Sequence, residues 1–401
     1  MKLTSLEQRA AVTIAGIYGL RMLGLFLVMP VLVIYAQEMP DYSAMLAGLA
    51  VGIYGLGQAM LQIPLGYLSD RLGRKPIIIA GLIIFAVGSY IAAESTTLTG
   101  LVIGRAIQGA GAIASTLMAF VSDLSRPEVR SKLMAGIGAT IGFAFVLSLV
   151  LGPWLSVYIG VDGLFYMTAM LSALAILVVI WLVPPEQPHQ DYSHVLPVKE
   201  QISTVVNNGQ LQLMNLGIFS LHLILTAIFV VIPSQLIANG LPLTEHSLTY
   251  LGLMVASFVL MLPLMIWTEK RRQHVRSISL AVSLLLIAML TLSFQSSLTV
   301  ILFCLGLFFL AFNFLEASIP SMVSRLCGTK QRGTAMGFYS TSQFFGAFLG
   351  GVLAGFLIQE FNLQMVYLIL GAVSLIWLIS VLFFLMPLRD DRHEENTVSE
   401  S

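Results

Sequence analysis

The chain has 401 residues, of which 57% are hydrophobic and 10% are charged, and its formal net charge is zero. Soluble domains carry about 25% charged residues, so this composition excludes an ordinary soluble protein. It favours a protein that lies within a lipid bilayer.

Apolar segments recur along the chain, and each is about long enough to cross roughly 30 Å of hydrocarbon as a helix. Continuous apolar segments predict helices, because the strands of a membrane barrel would alternate apolar and polar residues. The predicted spans are 10–35, 44–68, 77–94, 98–121, 134–156, 163–184, 211–236, 247–267, 277–294, 298–322, 334–357 and 363–386. The first is too long for a signal-peptide core and contains Arg21, so we expect an uncleaved span. The predicted fold class is an all-α membrane protein with twelve transmembrane helices.

The positive charges lie on one side of the predicted spans. With both termini in the cytoplasm, eighteen of the twenty Lys and Arg residues fall in cytoplasmic segments, and the other two, Arg21 and Arg105, lie inside spans. The acidic residues at or near the outer face are Glu38, Asp41, Glu94, Asp162, Glu245 and Glu360. This asymmetry predicts cytoplasmic termini. Because topology explains the short basic loops, we expect no nucleic-acid partner.

The sequence contains no pattern typical of a disulfide framework or of several catalytic and phosphate-binding sites. Cys304 within a span and Cys327 in an inner loop do not form a disulfide framework. The motifs H-E-x-x-H, G-x-S-x-G and G-x-x-x-x-G-K do not occur. We therefore predict no enzymatic activity, no catalytic residue, no cofactor and no metal, and ATP is not the expected energy source.

The two halves of the chain resemble each other at an offset of roughly 200 residues. GIYGLR at 16–21 aligns with GIFSLH at 217–222, and PLGYLSDR at 64–71 aligns with PLMIWTEK at 263–270. An even number of spans in each half gives both halves the same orientation. We predict a six-helix bundle over 1–184, a cytoplasmic linker over 185–210, a second six-helix bundle over 211–388 and a polar cytoplasmic tail over 389–401.

The segment GYLSDRLGRKP at 66–76 joins the second and third spans. Gly66 permits close approach of a neighbouring helix, and Gly73 permits a tight turn. Asp70 ends the second span, where it can accept from the N-terminus of another helix. Arg74 is positioned to meet a carboxylate, and Asp123 is its predicted partner. The predicted gating residues are Gly66, Asp70, Arg71, Gly73, Arg74, Lys75 and Asp123.

Three segments together resemble the major facilitator superfamily. The segment 66–76 resembles that family's loop signature, G-x-L-[AS]-D-R-x-G-R-K, and LVIGRAIQGAGAIA at 101–114 resembles its R-x-x-Q-G pattern. Leu151, Gly152 and Pro153 resemble the start of the antiporter signature G-P-x-x-G-G, whose last two glycines are here Ser156 and Val157. The whole chain is most similar to the drug:proton antiporter branch. One member of that branch carries an extra soluble domain after its twelfth span, whereas we expect only the polar tail here.

The resemblance implies two pseudo-symmetric bundles in a bacterial inner membrane and a substrate site near the midplane between them. It implies proton-coupled efflux of hydrophobic or amphipathic small molecules by a monomer, through alternating access. It also implies that Asp70 contacts the N-terminus of the eleventh span in the outward-facing state. In the alternative interpretation, the motif charges only anchor the loop. Uptake of a sugar or metabolite by a symporter or facilitator of the same fold is the alternative function.

Ionisable side chains inside spans are expensive and suggest function. Arg21 and His222 are repeat mates, each eleven residues from the inner end of its span, which is roughly 16 Å deep. The fold implied by the resemblance lines its cavity with the first, fourth, seventh and tenth spans, so Arg21, His222, Glu316 and Arg105 are the predicted proton-coupling residues. Glu316 is the principal predicted proton carrier.

Other interpretations of these residues stay open. Arg105 could bind the carbonyls of a neighbouring helix, and His222 could be a satisfied core histidine. The candidate substrate contacts are Gln58, Gln62, Asn313, Tyr339 and Gln343. They could equally be hydrogen bonds between helices.

Overall fold

The computed structural model of the chain describes residues 3–185, 198–295, 297–327 and 331–385. The described residues form fourteen helices: α1 (Ser5–Leu27), α2 (Leu32–Ala36), α3 (Ala44–Leu72), α4 (Arg74–Ala93), α5 (Leu98–Ala110), α6 (Ala114–Asp123), α7 (Pro127–Trp181), α8 (Val198–Asn207), α9 (Gly209–Ala238), α10 (Leu243–Arg271), α11 (His274–Phe294), α12 (Leu298–Leu326), α13 (Arg332–Glu360) and α14 (Leu363–Phe384). Eleven helical stretches in the described part of the chain are long and apolar enough to cross a membrane. The predicted all-α membrane fold is confirmed.

Side-chain caps set where several helices begin. Thr4 and Glu7 form a capping box at the start of α1, and Ser43, Thr97 and Asn362 each accept a backbone N–H of the helix that follows. Each cap satisfies a donor that the first turn of a helix cannot bond internally. Such caps lie between spans, so they define span boundaries that hydropathy alone leaves open.

Four predicted spans differ from the observed helices at identifiable residues. The predicted span 10–35 is interrupted after Leu27, and Pro30 lies in the break, where it has no N–H to donate. The predicted span 98–121 is two helices, because the backbone leaves the helical conformation at Gly111 and Ile113. The predicted spans 134–156 and 163–184 form the continuous element α7, which kinks at Gly160, where φ is +72°.

The segment predicted as a linker is partly helical. Val198–Asn207 forms the short helix α8, and the seventh span begins at Gly209, two residues before its predicted start. The rest of the predicted linker, 186–197, lies outside the described residues, as does the predicted tail 389–401.

The helix ends lie on two faces of the molecule, which we name by charge. The basic face holds the ends that carry Arg74, Arg130, Lys270 and Arg325, and the acidic face holds the opposite ends. The charge asymmetry predicts that the basic face is cytoplasmic. We call α1–α7 the first half and α9–α14 the second half.

On the acidic face, Asp41 holds the loop after α2 to the start of α5. Its carboxylate accepts the backbone N–H of Thr99 at 2.9 Å and that of Leu98 at 2.5 Å. These bonds, together with one from the Thr99 hydroxyl, lower the pKa of Asp41 because they favour its charged form.

Glycines allow the two halves to meet backbone to backbone along α3 and α13. A Cβ added at Gly52 would lie 2.6 Å from the carbonyl oxygen of Phe348, and one at Gly48 would collide with the carbonyl of Gly351. Without side chains at these positions the helix backbones can approach closely, which is the usual basis of helix association in lipid. This contact, α3 against α13, is the principal packing between the halves near the acidic face.

Further contacts between the halves lie on the same side. Gln37 donates to the Ser234 hydroxyl at 3.1 Å, and the backbone N–H of Met45 donates to Gln359 at 3.2 Å. Towards the basic face, an added Cβ would meet open space at several glycines: Gly136, Gly138, Gly142, Gly333 and Gly337. The described hydrogen bonds between the halves thus lie near the acidic face, and these glycines towards the basic face have no close neighbour.

A substitution in the α3–α13 contact tests whether this contact closes the acidic face. We expect Gly351→Val to destabilise the contact by about 1–3 kcal/mol, the usual cost of overpacking. That changes the ratio of the closed to the open acidic face by about fivefold or more. Spin labels on Thr96→Cys and Ala238→Cys, both exposed on the acidic face, should then report longer distances in protein without Cys304 and Cys327.

Gly337→Val is the matched control, because it makes the same change on α13 where no atom lies within 4 Å of the added Cβ. It should leave the distance distribution unchanged. Equal effects of both variants would contradict the assigned contact.

Candidate functional site

Three polar side chains meet where α9, α12 and α13 face one another. Gln343 donates to His222 Nε2 at 2.8 Å and to Glu316 Oε1 at 3.3 Å. The imidazole Nε2 is 3.8 Å from the second carboxylate oxygen, Oε2. The structure thus brings together two predicted proton-coupling residues and one predicted substrate contact. We call these three residues the polar cluster.

The backbone determines which nitrogen of His222 carries hydrogen. Nδ1 lies 3.3 Å from the carbonyl oxygen of Ile218, one turn earlier on α9. A carbonyl only accepts, so Nδ1 carries the proton and Nε2 of the neutral ring is the acceptor. This assignment agrees with the Gln343 amide nitrogen as the donor to Nε2.

The polar cluster is partly open and partly apolar. The Glu316 side chain is 35% exposed and the His222 side chain 12% exposed. The His222 ring lies 5.9 Å from that of Phe312, which in turn lies 5.6 Å from Phe145 of the first half. The buried Tyr339 hydroxyl lacks a hydrogen-bond partner among the described residues. The Glu316 side chain is thus partly exposed, while its Oε2 is buried and has no hydrogen-bond partner among the described residues.

Arg21 lies elsewhere, inside the first half. Its Nη2 donates to the Tyr54 hydroxyl at 2.8 Å and to the Gly111 carbonyl at 3.2 Å, and the guanidinium lies 5.7 Å from the centre of the Phe85 ring. The residue is 1% exposed. Among the described residues, the structure does not bring Arg21 to His222 or Glu316, although they were predicted to share one polar centre. The reason is that Arg21 points into its own bundle.

The break between α5 and α6 accounts for this position of Arg21. Where a helix is interrupted in a membrane, the freed carbonyls need other donors. Arg21 donates to the carbonyl of Gly111, and Gln58 donates to that of Gly109 at 2.7 Å. Gln62 is buried beside them and contacts α6 through its own carbonyl, which accepts from Ser115 at 2.8 Å. The Gln58 side chain thus bonds between helices, as in the alternative interpretation. At Gln62 the backbone carbonyl makes the bond, and the side-chain Oε1 has no partner among the described residues.

Arg105 also binds a neighbouring helix. Its Nε donates to the carbonyl of Ala50 at 3.2 Å and its Nη1 to the side chain of Gln108 at 2.9 Å. Gln108 continues the network to the hydroxyl of Ser89 at 2.6 Å. These contacts hold α5 against α3 and α4, in line with the alternative interpretation of Arg105. Asn313 similarly joins α12 to α10 through Ser257 at 2.9 Å.

The motif after the second span forms a charged group on the basic face. Arg74 is buried, donates to Asp123 at 2.8 Å and to the Ser69 hydroxyl at 2.7 Å, and also pairs with Asp70. The pair of Arg74 with Asp123 is the one that the sequence suggested. Asp70 has a side chain 53% exposed and lies in an ion pair within its own half.

The other motif residues act locally. Gly73 has φ of +97°, a left-handed conformation that favours glycine. Lys75 donates to the carbonyl of Val183 at 2.8 Å, and the guanidinium of Arg71 lies 4.6 Å from the centre of the Tyr67 ring. A Cβ at Gly66 would lie 3.1 Å from Ser115, as expected for close packing.

The second half contains a related pair that the sequence interpretation did not include. Arg325 donates to Glu269 at 3.0 Å and lies 3.5 Å from His274. Glu269 follows Asp70 by 199 residues and Arg325 follows Asp123 by 202 residues. The repeat offset was therefore the signal that could have identified this pair, in which Glu269 keeps the charge of Asp70 and Arg325 reverses that of Asp123. It is exposed, so it contributes little to stability.

The fold and these sites define the class of protein. The sequence model of the Major Facilitator Superfamily matches residues 14–211 and 214–401, and the chain belongs to this family of membrane transporters. The predicted family is thus confirmed. The chain is 41% identical to the inner membrane transport protein YajR of Escherichia coli over 94% of its own length and 83% of that protein. This relative supports an inner-membrane, multi-pass location.

Two more distant similarities extend the comparison. The multidrug resistance protein MdtH of Blochmanniella pennsylvanica is 23% identical over 90% of this chain and 89% of that protein. A crystal structure of a D-xylose–proton symporter superposes with a TM-score of 0.72 at 16% identity, covering 96% of this chain and 98% of the symporter. At that identity the structural match shows the fold alone.

The Arg74–Asp123 pair can be tested by a double-mutant cycle. Because Arg74 is buried, we expect Arg74→Ala and Asp123→Ala each to lower thermal stability in detergent, and the two effects to be coupled by about 0.5–3 kcal/mol. The same cycle on the exposed pair Glu269 and Arg325 is the matched control and should give less than about 1 kcal/mol. Additive losses at Arg74 and Asp123 would contradict the pairing.

Proposed function

We propose that the protein is a proton-coupled antiporter that exports hydrophobic or amphipathic small molecules across a bacterial inner membrane. The observation that carries the proposal is the polar cluster, in which a partly exposed Glu316 shares the Gln343 amide with His222. An intramembrane carboxylate beside an imidazole is the arrangement expected of a proton relay.

Glu316 is the principal proton carrier in this proposal. It is the more exposed of the two titratable groups, and its neighbour His222 lies beside Phe312, which contacts Phe145. The substrate occupies the site while Glu316 carries no proton, and a proton taken up by Glu316 displaces it. Competition between proton and substrate for one site is sufficient for antiport. Tyr339 and Asn313, with the polar cluster, are the proposed substrate contacts.

Alternating access follows from rocking of the two halves about this site. The described conformation has hydrogen bonds between the halves near the acidic face, and glycines towards the basic face have no close neighbour. If the basic face is cytoplasmic, as proposed from its charges, this is the inward-open state. In the opposite state Asp70 leaves its pair with Arg74 and meets the N-terminus of α13. Arg71 and Lys75 hold the neighbouring turn in place.

Efflux is preferred to uptake because of the resemblance to drug:proton antiporters and the full-length similarity to a multidrug resistance protein. Both termini are proposed to be cytoplasmic, and the transporting unit is proposed to be a monomer. The test is transport of a panel of amphipathic dyes, sugars and nucleosides by the protein in liposomes, with and without an imposed pH gradient. Dye movement opposite to the proton gradient supports the proposal, and sugar movement along with protons contradicts it.

Glu316→Gln tests the carrier directly, because it keeps the shape of the side chain and removes its titration. We expect the variant to lose uphill, pH-driven transport while it still exchanges substrate across the membrane without a gradient. Glu245→Gln, the same change at an exposed residue on the acidic face, should behave like the natural protein. Concentration of substrate by the Glu316→Gln protein under a pH gradient would assign the carrier elsewhere.

Asp70→Asn tests the proposed gate. The variant should reach the membrane in normal amounts, since Asp70 is half exposed and supports no core packing. Turnover should fall because the residue is needed to close the basic face and not to fold. Unchanged transport at equal expression would argue against a gating role.

A further inference from the structure

Gln343 lies between the two titratable groups and the contact that joins the halves. Its neighbour Phe344 marks the end of that contact nearest the basic face, among the glycine and aromatic contacts of α3 with α13. A Cβ at Gly55 would lie 2.5 Å from the carbonyl oxygen of Phe344, and the Phe344 ring lies 6.4 Å from that of Tyr54. The polar cluster is therefore adjacent in sequence to the α3–α13 contact.

The hydrogen bond from Gln343 to His222 exists in only one protonation state. With Nδ1 bonded to the carbonyl of Ile218, the ring accepts through Nε2 only while that nitrogen carries no hydrogen. When a proton binds Nε2, both ring nitrogens donate. The Gln343 NH₂ group must then withdraw or be replaced by its carbonyl oxygen. When the proton instead binds Glu316, the carboxylate loses its charge and the bond from the Gln343 amide to Oε1 weakens.

We propose that Gln343 is a positioning residue that transmits the protonation state of His222 and Glu316 to the α3–α13 contact. This inference rests on the proposed function, since it assumes that the polar cluster takes up protons. In the unprotonated state the amide holds α13 to α9 and α12, so that the glycines of α13 are presented to α3. Protonation releases this tie and allows the contact to open near the acidic face.

α13 is packed so that a shift at Gln343 can be transmitted along the helix. It is one helix from Arg332 to Glu360 and contains no proline. An added Cβ at Gly346 or Gly350 would collide with the carbonyls of Phe219 or Leu223, so α13 lies directly against the turn of α9 that holds His222. A shift of α13 at Gln343 is therefore conveyed to the next turns, where Gly351 meets α3.

Among the described residues, few titratable or charged groups face Gln343 from the packed helices, and Arg105 lies farther off, over the Tyr54 ring. The groups that face Gln343 are His222 on α9, Glu316 on α12, Tyr339 on α13 itself and, across the contact, Tyr54 on α3 with its partner Arg21. Arg21 stays charged at all relevant pH values. The pH response of this region is thus assigned to His222 and Glu316, and Gln343 bonds to both.

The experiment measures the distance between spin labels on Thr96→Cys and Ala238→Cys as a function of pH, in full-length protein in nanodiscs. The natural side chains should give a pH-dependent shift between a short and a long distance. Gln343→Leu removes the bridge at similar volume and should reduce the shift by about fivefold or more, the lower range of coupling between sites. Ser342→Ala, on the same turn, is the matched control.

Gln343→Glu tests the pH midpoint of the distance change, which a purely structural role of Gln343 would leave unaltered. An added carboxylate beside His222 and Glu316 favours their protonated forms, so the midpoint of the distance change should move to higher pH. If Gln343→Leu does not fold, Gln343→Glu still tests the inference about Gln343. An unchanged midpoint would overturn that inference.

The result with Glu316→Gln separates the two proposals. If Glu316→Gln loses the pH response and Gln343→Leu keeps it, the inference about Gln343 is wrong and the proposed function stands. If Glu316→Gln keeps the full response and Gln343→Leu loses it, the proposed proton carrier is wrong, while the inference about Gln343 stands through its bond to His222. Loss in both variants, with a normal response of Ser342→Ala, supports the inference.

Discussion

The close approach of α3 and α13 is the constraint on which the rest of the structure depends. Apolar side chains gain little from packing on each other in lipid, because the lipid tails are equally apolar. Helices associate where small residues let backbones meet, and here Gly48 and Gly52 face Gly351 and Phe348. This contact lies towards the acidic face, and the partly exposed Glu316 belongs to the polar cluster that adjoins it at Gln343.

A second constraint explains why the first half holds two buried arginines. The fourth span is broken at Gly111, and each freed carbonyl must find a donor within the bundle. Arg21 and Gln58 supply two such donors, while Arg105 binds carbonyls of α3 one layer away. An arginine is costly in hydrocarbon but offers five donors in one planar group. Its place here follows from the backbone that it supports.

Residues at equivalent positions of the two repeats have different roles in the two halves. Arg21 and His222 occupy equivalent positions, yet the first binds a broken helix and the second bonds to Gln343. On the basic face, the buried Arg74 pairs with Asp123, whereas in the second half Arg325, at the position of Asp123, forms an exposed pair with Glu269, at the position of Asp70. The first half is thus built around permanent charges. In the second half, the titratable His222 occupies the position that corresponds to Arg21.

The sequence by itself determined the membrane class, the number of spans, the family and the Arg74–Asp123 pair. These rest on local properties: span length, the asymmetry of Lys and Arg, and the spacing of residues in 66–76. The separation of Arg21 from His222, and the bridge from Gln343, came only from the tertiary structure. Depth can be counted from residue number, but the direction of a side chain depends on how a helix is rotated and where it breaks. Those are set by backbone contacts between distant glycines, which no periodicity in the sequence reveals.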